Sequence, residues 1–285
     1  MPLALRELRI HPVKSCRGIS VLEWELDRFG LALDRAFMIV DAERGLFLTQ
    51  REDPRLARIA PRIDGATLTL AAEGAGSIAI DLGQRDGLRT PIEVWRHRGE
   101  GVDQGPEAAA WLTALLGRPL RLVRIPPDHA RLVSPERSPE PAYTAFSDGY
   151  PLLLLTRASL DDLNARLPAP LGVERFRPNL VIDGAEPYAE DAWRRIRIGP
   201  IELDVVKGCD RCAITTVDPS TGERDGREPL RTLMRYRRRD GAVWFGQNAV
   251  HRGTGPLAVG MPVAVLATQD APGFDRVERP ASNQL

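Results

Sequence analysis

Residues 205–219 read VVKGCDRCAITTVDP and hold two of the chain's three cysteines, Cys209 and Cys212, in a Cys-x-x-Cys spacing around Arg211. The runs before it, RRIRIG and IELDVVK, alternate apolar and polar residues as half-buried strands do. The run after it, AITTVD, is β-branched and also reads as strand, closed by the turn signal Asp-Pro-Ser-Thr-Gly. The cysteines are therefore expected at a strand end or in a short loop, where a thiol can approach a ligand. The spacing alone leaves four uses open. Structural zinc needs four N or S ligands, yet only Cys16 remains as a thiol and His11, His97, His129 and His251 are scattered. A redox dithiol needs a helix N-terminus inside a βαβ unit, where a strand is expected here. One thiolate can ligate a soft metal carried by an organic cofactor. Two inert packed cysteines are the fourth use.

Outward from this stretch the pattern stays strand-rich. ALRELRIHPV, VLEWEL, RAFMIVD, TLTL, SIAID and IEVW are short β-like runs punctuated by Gly, Asp or Pro. PEAAAWLTALLG has Trp111, Leu112, Leu115 and Leu116 at helical spacing, with Pro106 near its start and Gly117 at its stop. Residues 126–142 are proline-rich and read as a loop or linker. AFSDGYPLLLLT is a turn running into a buried strand. RASLDDLNARL follows as a helix that Ser159 and Asp162 are expected to cap. EPLRTLMRYRR is a short helix with Pro229 in its first turn. Within and after it, Arg235, Arg237, Arg238 and Arg239 read as a solvated face. AVWFGQNAV and MPVAVLAT are closing strands, and residues 271–285 are an expected frayed tail. Many short strands with about three helices predict a mainly β (α+β) architecture, a β-barrel-like domain beside a smaller β-rich one.

Composition narrows the function. The chain has 285 residues, 43% of them hydrophobic, which suits one large or two medium domains. Lys+Arg 39 against Asp+Glu 39 leaves no basic excess for binding nucleic acid. Three cysteines argue against a disulfide framework and for a reducing, cytoplasmic setting. MPLALRELRIHPVKS lacks the long apolar core of a signal or anchor, and LLLLT is too short to span a bilayer. A soluble monomer without membrane or nucleic-acid partners is the expectation.

With its flanks, GCDRCAITTVDPSTG resembles the Cys-x-Arg-Cys-x-x-Thr-Thr-Val-Asp-Pro-x-Thr-Gly segment of MOSC-domain proteins, relatives of the C-terminal domain of molybdenum-cofactor sulfurase. The resemblance is to the branch with the amidoxime-reducing components and bacterial N-hydroxylaminopurine reductases. HPVKSCRG (11–18), DRAFMIVD (34–41), TQREDPRL (49–56), ERFRPNLVIDG (174–184), YAEDAWRRIRIG (188–199) and FGQN (245–248) match in the family's order. The resemblance implies a MOSC N-terminal β-barrel-like domain over 1–120, a MOSC domain over 121–270, and the tail.

It also implies a molybdenum-pterin cofactor (Mo-molybdopterin) with Cys212, rather than Cys209, as the thiolate on molybdenum and as the catalytic residue. Arg211 beside it and Lys207 nearby are expected to favour the thiolate, while Cys209 is expected to be a packed thiol beside the site. Lys14 and Ser15 resemble the family's phosphate-contacting pair, and Arg35 a phosphate or pterin contact. Arg177 and Asn179 flank Pro178, which is expected to keep Arg177 extended and hold both side chains as donors to the pterin. Ser147 and Asp148 resemble another cofactor-contacting turn. The implied activity is reduction of small N-hydroxylated compounds by oxygen removal. The four cysteine ligands of an appended iron–sulfur domain are not to be found in the chain, so a separate flavin, iron–sulfur or haem protein is the expected electron donor. The alternative is a carrier of the cofactor, or of sulfur as a Cys212 persulfide, without turnover of its own.

Overall fold

A computed structural model describes residues 2–275 except Pro139 and Asp225; most of the expected tail, 276–285, lies outside the described residues. Strands dominate, with three short α-helices among the described residues, so the expected mainly β architecture is what the chain adopts. The largest sheet runs in the order Val263–Thr268, Trp193–Ile198, Ile201–Asp210, Ala242–Arg252, Leu152–Thr156, Leu180–Asp183, Ala4–Ile10, Ile19–Val21. Its pairs are antiparallel except Leu152–Thr156 with Leu180–Asp183. That parallel pair lies mid-sheet, and Leu152–Thr156 is buried throughout, as a strand covered on both faces requires.

The two halves of the sequence are woven together. Ala4–Ile10 pairs with Leu180–Asp183, and Glu23–Asp27 pairs with Gly255–Ala258. Leu5, Leu8, Leu154, Leu180, Ile196 and Leu203 fill the core of the large sheet. A second core, with Phe37, Ile39, Leu68, Leu112 and Leu122, lies where helix Pro106–Leu116 packs beside strand Leu120–Arg124. That helix ends as expected: Gly117 has φ 73° and donates its N–H to Thr113. Among the described residues no helix is long and apolar enough to cross a membrane.

Three local expectations are corrected. AITT is a 3-10 turn, Ala213–Thr216, and not a strand. Thr215 Oγ1 donates to Cys212 O (3.0 Å) and Thr216 Oγ1 to Ala213 O (2.7 Å), so local hydroxyl bonds outweigh β-propensity. The second helix, Arg157–Asn164, is capped by Thr156, whose hydroxyl accepts from the Ser159 N–H. Asp162 instead accepts from Arg166 and Tyr188. The arginine run is not uniformly solvated. Arg237 is buried, paired with Asp191 at 2.6 Å and stacked on Tyr188.

Candidate functional site

Strand Ile201–Asp210 loses register with Ala242–Arg252 between Val205 and Lys207, and again between Gly208 and Asp210. Such bulges bend a strand and re-aim its side chains. Here they deliver Cys209 at the strand end and Cys212 just beyond it, both half-buried, both free and both facing one pocket. Arg211 is pinned between them. Its N–H donates to Val243 O, Nε to Phe245 O (2.7 Å) and Nη1 to Phe176 O (2.8 Å). Nη2 is buried without a protein partner in the pocket wall. Thr215 and Thr216 close the turn behind Cys212. Asp218 ties the Asp-Pro-Ser-Thr-Gly turn by accepting from Ser220 N–H (2.7 Å) and from Arg175 (2.9 Å).

The pocket, about 150 Å³, is lined by all nine residues singled out from the sequence: Lys14, Ser15, Arg35, Ser147, Asp148, Arg177, Asn179, Arg211 and Cys212. They come from five segments that the chain topology carries to one end of the large sheet. Lys14 follows strand Ala4–Ile10 and is held by its N–H to Phe37 O. Its buried ammonium donates to Phe146 O (2.8 Å) and pairs with the Asp148 carboxylate. Burial pushes Lys14 down, Asp148 opposing; the Lys14 charge in turn holds the Asp148 carboxyl below the usual carboxylate range despite its own desolvation. Arg131 fixes the Ser147–Asp148 turn by donating to Ser147 O (2.6 Å) and Asp148 O (3.1 Å).

Arg35 and Arg177 are neighbours. Arg35 pairs with Asp34 and donates to Arg177 O (3.1 Å) and Asn179 Oδ1 (3.0 Å). Burial, and then the Arg35 charge, lower Arg177 to about 10. Two expectations about RFRPN are corrected. Arg177 is not extended: it ends the 3-10 turn Val173–Phe176 in the left-handed region, φ 55°. The closing bond from its N–H to Glu174 O and the anchorage of its guanidinium on Cys16 O outweigh the preference imposed by Pro178. Asn179 is almost wholly buried, and its amide braces backbone, accepting from Leu153 N–H (3.1 Å) and donating to Arg9 O (3.2 Å).

Ser15 and Arg35, like Arg177, also have positive φ, 67° and 50°. Three non-glycine residues in this sparse region converge on one pocket, at a cost of roughly 1–3 kcal/mol each. Strain of this kind persists where surrounding structure over-determines it, as at ligand sites.

The sequence reading missed Arg51. Its Nη2 lies 3.0 Å from Cys212 Sγ, and its guanidinium stacks 4.8 Å from the Trp95 ring centroid. Arg51 is the cation on the thiol, a place assigned from the sequence to Arg211 and Lys207. Arg211 is spent on carbonyls, and Lys207 is not in the pocket wall. Arg51 stands in TQREDPRL, so the signal was the matching segment itself. Tyr150, Arg175, Thr215 and Asn248 also line the pocket. Cys209 is a wall residue whose thiol burial pushes up. His11 is sealed behind Gly18, where an added Cβ would fall 2.7 Å from its ring.

Residues 3–119 match the MOSC N-terminal beta barrel domain and residues 142–264 the MOSC domain. The chain belongs to the MOSC family. It is 38% identical to mitochondrial amidoxime-reducing component 1 of Homo sapiens, over 91% of this chain and 82% of that protein. It is 36% identical to mitochondrial amidoxime reducing component 2 of Rattus norvegicus, over 89% of this chain and 80% of that protein. Component 1 of Danio rerio is also 36% identical, over 90% and 83%. In this MOSC chain the matched N-terminal region brings Lys14, Arg35 and Arg51 to the pocket, and the matched MOSC region brings the cysteines.

Proposed function

We propose that this MOSC protein is an oxidoreductase that removes oxygen from N-hydroxylated compounds with a molybdenum-pterin cofactor held in the Cys212 pocket. The observation that carries this reading is the Cys212 thiol, met by Arg51 at 3.0 Å, facing a wall of fixed cations. Lys14, Arg35, Arg51, Arg175 and Arg177 bring more positive charge than Asp148 and Asp210 offset. The depression of Arg177 and the orphaned Arg211 Nη2 are what a polyanionic, hydrogen-bond-accepting ligand relieves. Among the described residues no three His, Cys, Asp or Glu side chains converge to hold a metal. A metal here would bring its other ligands with its carrier, which suits a pterin dithiolene. The names of the relatives support amidoxime-type substrates.

When bound, the cofactor supplies a two-electron centre for oxygen removal, so that N–OH, two electrons and two protons give N–H and water. Cys212 would hold the metal. Lys14 and Ser15 would take the phosphate, and Arg35 and Arg177 the charge of phosphate or pterin. Ser147 and Asp148 would line the cofactor turn, with Asn179 and Arg211 keeping the two walls in place. The Tyr150 phenol would stand in the pocket wall as a proton donor. Electrons would come from a separate flavin, iron–sulfur or haem protein. In the two-domain division, 1–120 and 121–270, the cofactor would bridge both parts. Three free cysteines suit a reducing, cytoplasmic setting.

The test is elemental analysis of protein made in a cofactor-producing host, with turnover of an N-hydroxyamidine under a chemical reductant. About one molybdenum per chain with amidine formation is expected, and both should be lost in Cys212→Ser. Bound cofactor that exchanges without any reduction would favour the carrier alternative, and stoichiometric zinc would overturn both.

A further inference from the structure

Beside the pocket lies an open cleft of about 730 Å³ that shares Asp148 with it and is lined by Trp95, Arg96, His97, Arg131 and Leu132. Trp95 and Arg96 form the two-residue turn between strands Arg89–Val94 and His97–Asp103, whose ladder closes at Val94 and His97. Trp95, the first turn residue, has φ 55°, a place that such hairpins normally give to glycine. A tryptophan kept there at the expense of strain points to a use. Its ring is locked on several sides. Nε1 donates to Asp148 Oδ1 (3.0 Å), the Phe47 ring meets it edge-on at 5.0 Å, and Arg51 stacks on it while touching Cys212 Sγ. Even so, 41% of Trp95 is exposed, and Leu132 across the cleft is 56% exposed. Two of the large exposed hydrophobic side chains among the described residues thus share this one cleft. The charges around them are cationic, Arg96 and Arg131, because Lys14 already neutralises Asp148.

We infer that Trp95 is the substrate platform of this enzyme: planar aromatic N-hydroxy compounds bearing a carboxylate stack on Trp95 and Leu132, with the carboxylate on Arg96. Arg51, between the Trp95 ring and the Cys212 sulfur, sets the distance from platform to reacting centre. This rests on the reading of the pocket as an N-hydroxy reductase. An aliphatic N-hydroxyamidine needs only the pocket, whereas an aromatic one uses the platform as well.

The experiment compares acetamidoxime, benzamidoxime and 4-carboxybenzamidoxime as substrates of the holoenzyme. Calorimetric titration of 4-carboxybenzamidoxime into the same protein accompanies it. Trp95→Ala should raise KM for both aromatic substrates about tenfold more than KM for acetamidoxime and weaken calorimetric binding by a like factor, any loss shared by all three substrates reporting the ring's support of Arg51 and Asp148. Trp95→Phe should stay within about threefold of wild type, which separates loss of the ring from loss of the turn. Arg96→Ala should raise KM for the carboxylated substrate alone by about fivefold. Equal effects of Trp95→Ala on acetamidoxime and benzamidoxime, or no effect on either, would overturn the assignment. If wild type reduces none of the three, the reductase reading fails, and the titration still decides whether the platform binds planar carboxylates.

Discussion

The guanidinium of Arg51 reaches across 161 positions of sequence to set Nη2 3.0 Å from Cys212 Sγ. On the proposed reading Cys212 ligates the metal; a donor on such a sulfur tunes and orients it, and removal of such partners typically lowers metal affinity or activity 10–100-fold. Arg51→Ala is therefore expected to cut molybdenum content per chain, or turnover, by about that factor. Arg51→Lys should retain a part of it, having charge without the fork that also covers Trp95. Full metal content with full turnover in Arg51→Ala would remove the residue from the site.

Strain gives a second prediction. Ser15 has φ 67°, is buried, and offers its carbonyl to Gln50 Nε2 at 2.6 Å. Glycine adopts this conformation without the penalty, although it costs more backbone entropy on folding. Ser15→Gly is expected to stabilise the chain by about 0.5–1 kcal/mol in denaturant unfolding. Cofactor content should fall at the same time, because the hydroxyl is gone. A variant both less stable and fully loaded contradicts both halves.

How much of this was legible beforehand depends on where each signal lay. The strands around Cys209 and helix Pro106–Leu116 were readable because alternation, a starting proline and a closing glycine are local signals. The nine pocket residues were readable through segments that match a family pattern, which is how Lys14 and Arg177 could be paired from opposite halves. Arg51 was not singled out, because nothing local marks an arginine in a turn before Asp-Pro as one that meets a distant thiol. AITT was misread for the opposite reason. Its β-branched residues carry a strand signal, and the Thr hydroxyls cancel it within one turn. The sheet that pairs Ala4–Ile10 with Leu180–Asp183 has no sequence signature, since non-local pairing depends on every intervening segment.

The pH dependence of stability should carry the mark of Glu190. This carboxyl is fully buried and accepts from Thr156 Oγ1 (2.8 Å) and Ser159 Oγ (2.9 Å). The nearby cation Arg237 pairs instead with Asp191. Burial, and then the Asp191 charge, push Glu190 up. The folded state thus binds this proton more tightly than the unfolded state, so the contribution is present at low pH and is lost as pH rises above the ordinary glutamate value. Glu190→Gln removes the titration, while both hydroxyls can turn to suit an amide. Its melting temperature relative to wild type should climb as pH is raised from 5 to 8. A constant offset across that range would show that Glu190 does not titrate there.

A last pair of glycines separates close packing from open space. A Cβ on Gly208 would lie 1.9 Å from Trp244 Cε3, inside the ring's own volume. Trp244 sits opposite Asp210 in the ladder, one residue from the Val243 carbonyl that holds Arg211 N–H. Any shift that relieves the clash is therefore passed to the loop carrying Cys212. Gly208→Ala is expected to cost about 2–3 kcal/mol through overpacking, and to lower cofactor content with it. Gly149 also lines the pocket, yet nothing lies within 4 Å of its added Cβ, and its φ is not in the left-handed region. Gly149→Ala should unfold within about 0.5 kcal/mol of wild type. Equal unfolding midpoints for the two variants would mean that strand Ile201–Asp210 can retreat from Trp244 freely, and that its bulges, not its packing, set the position of the thiol.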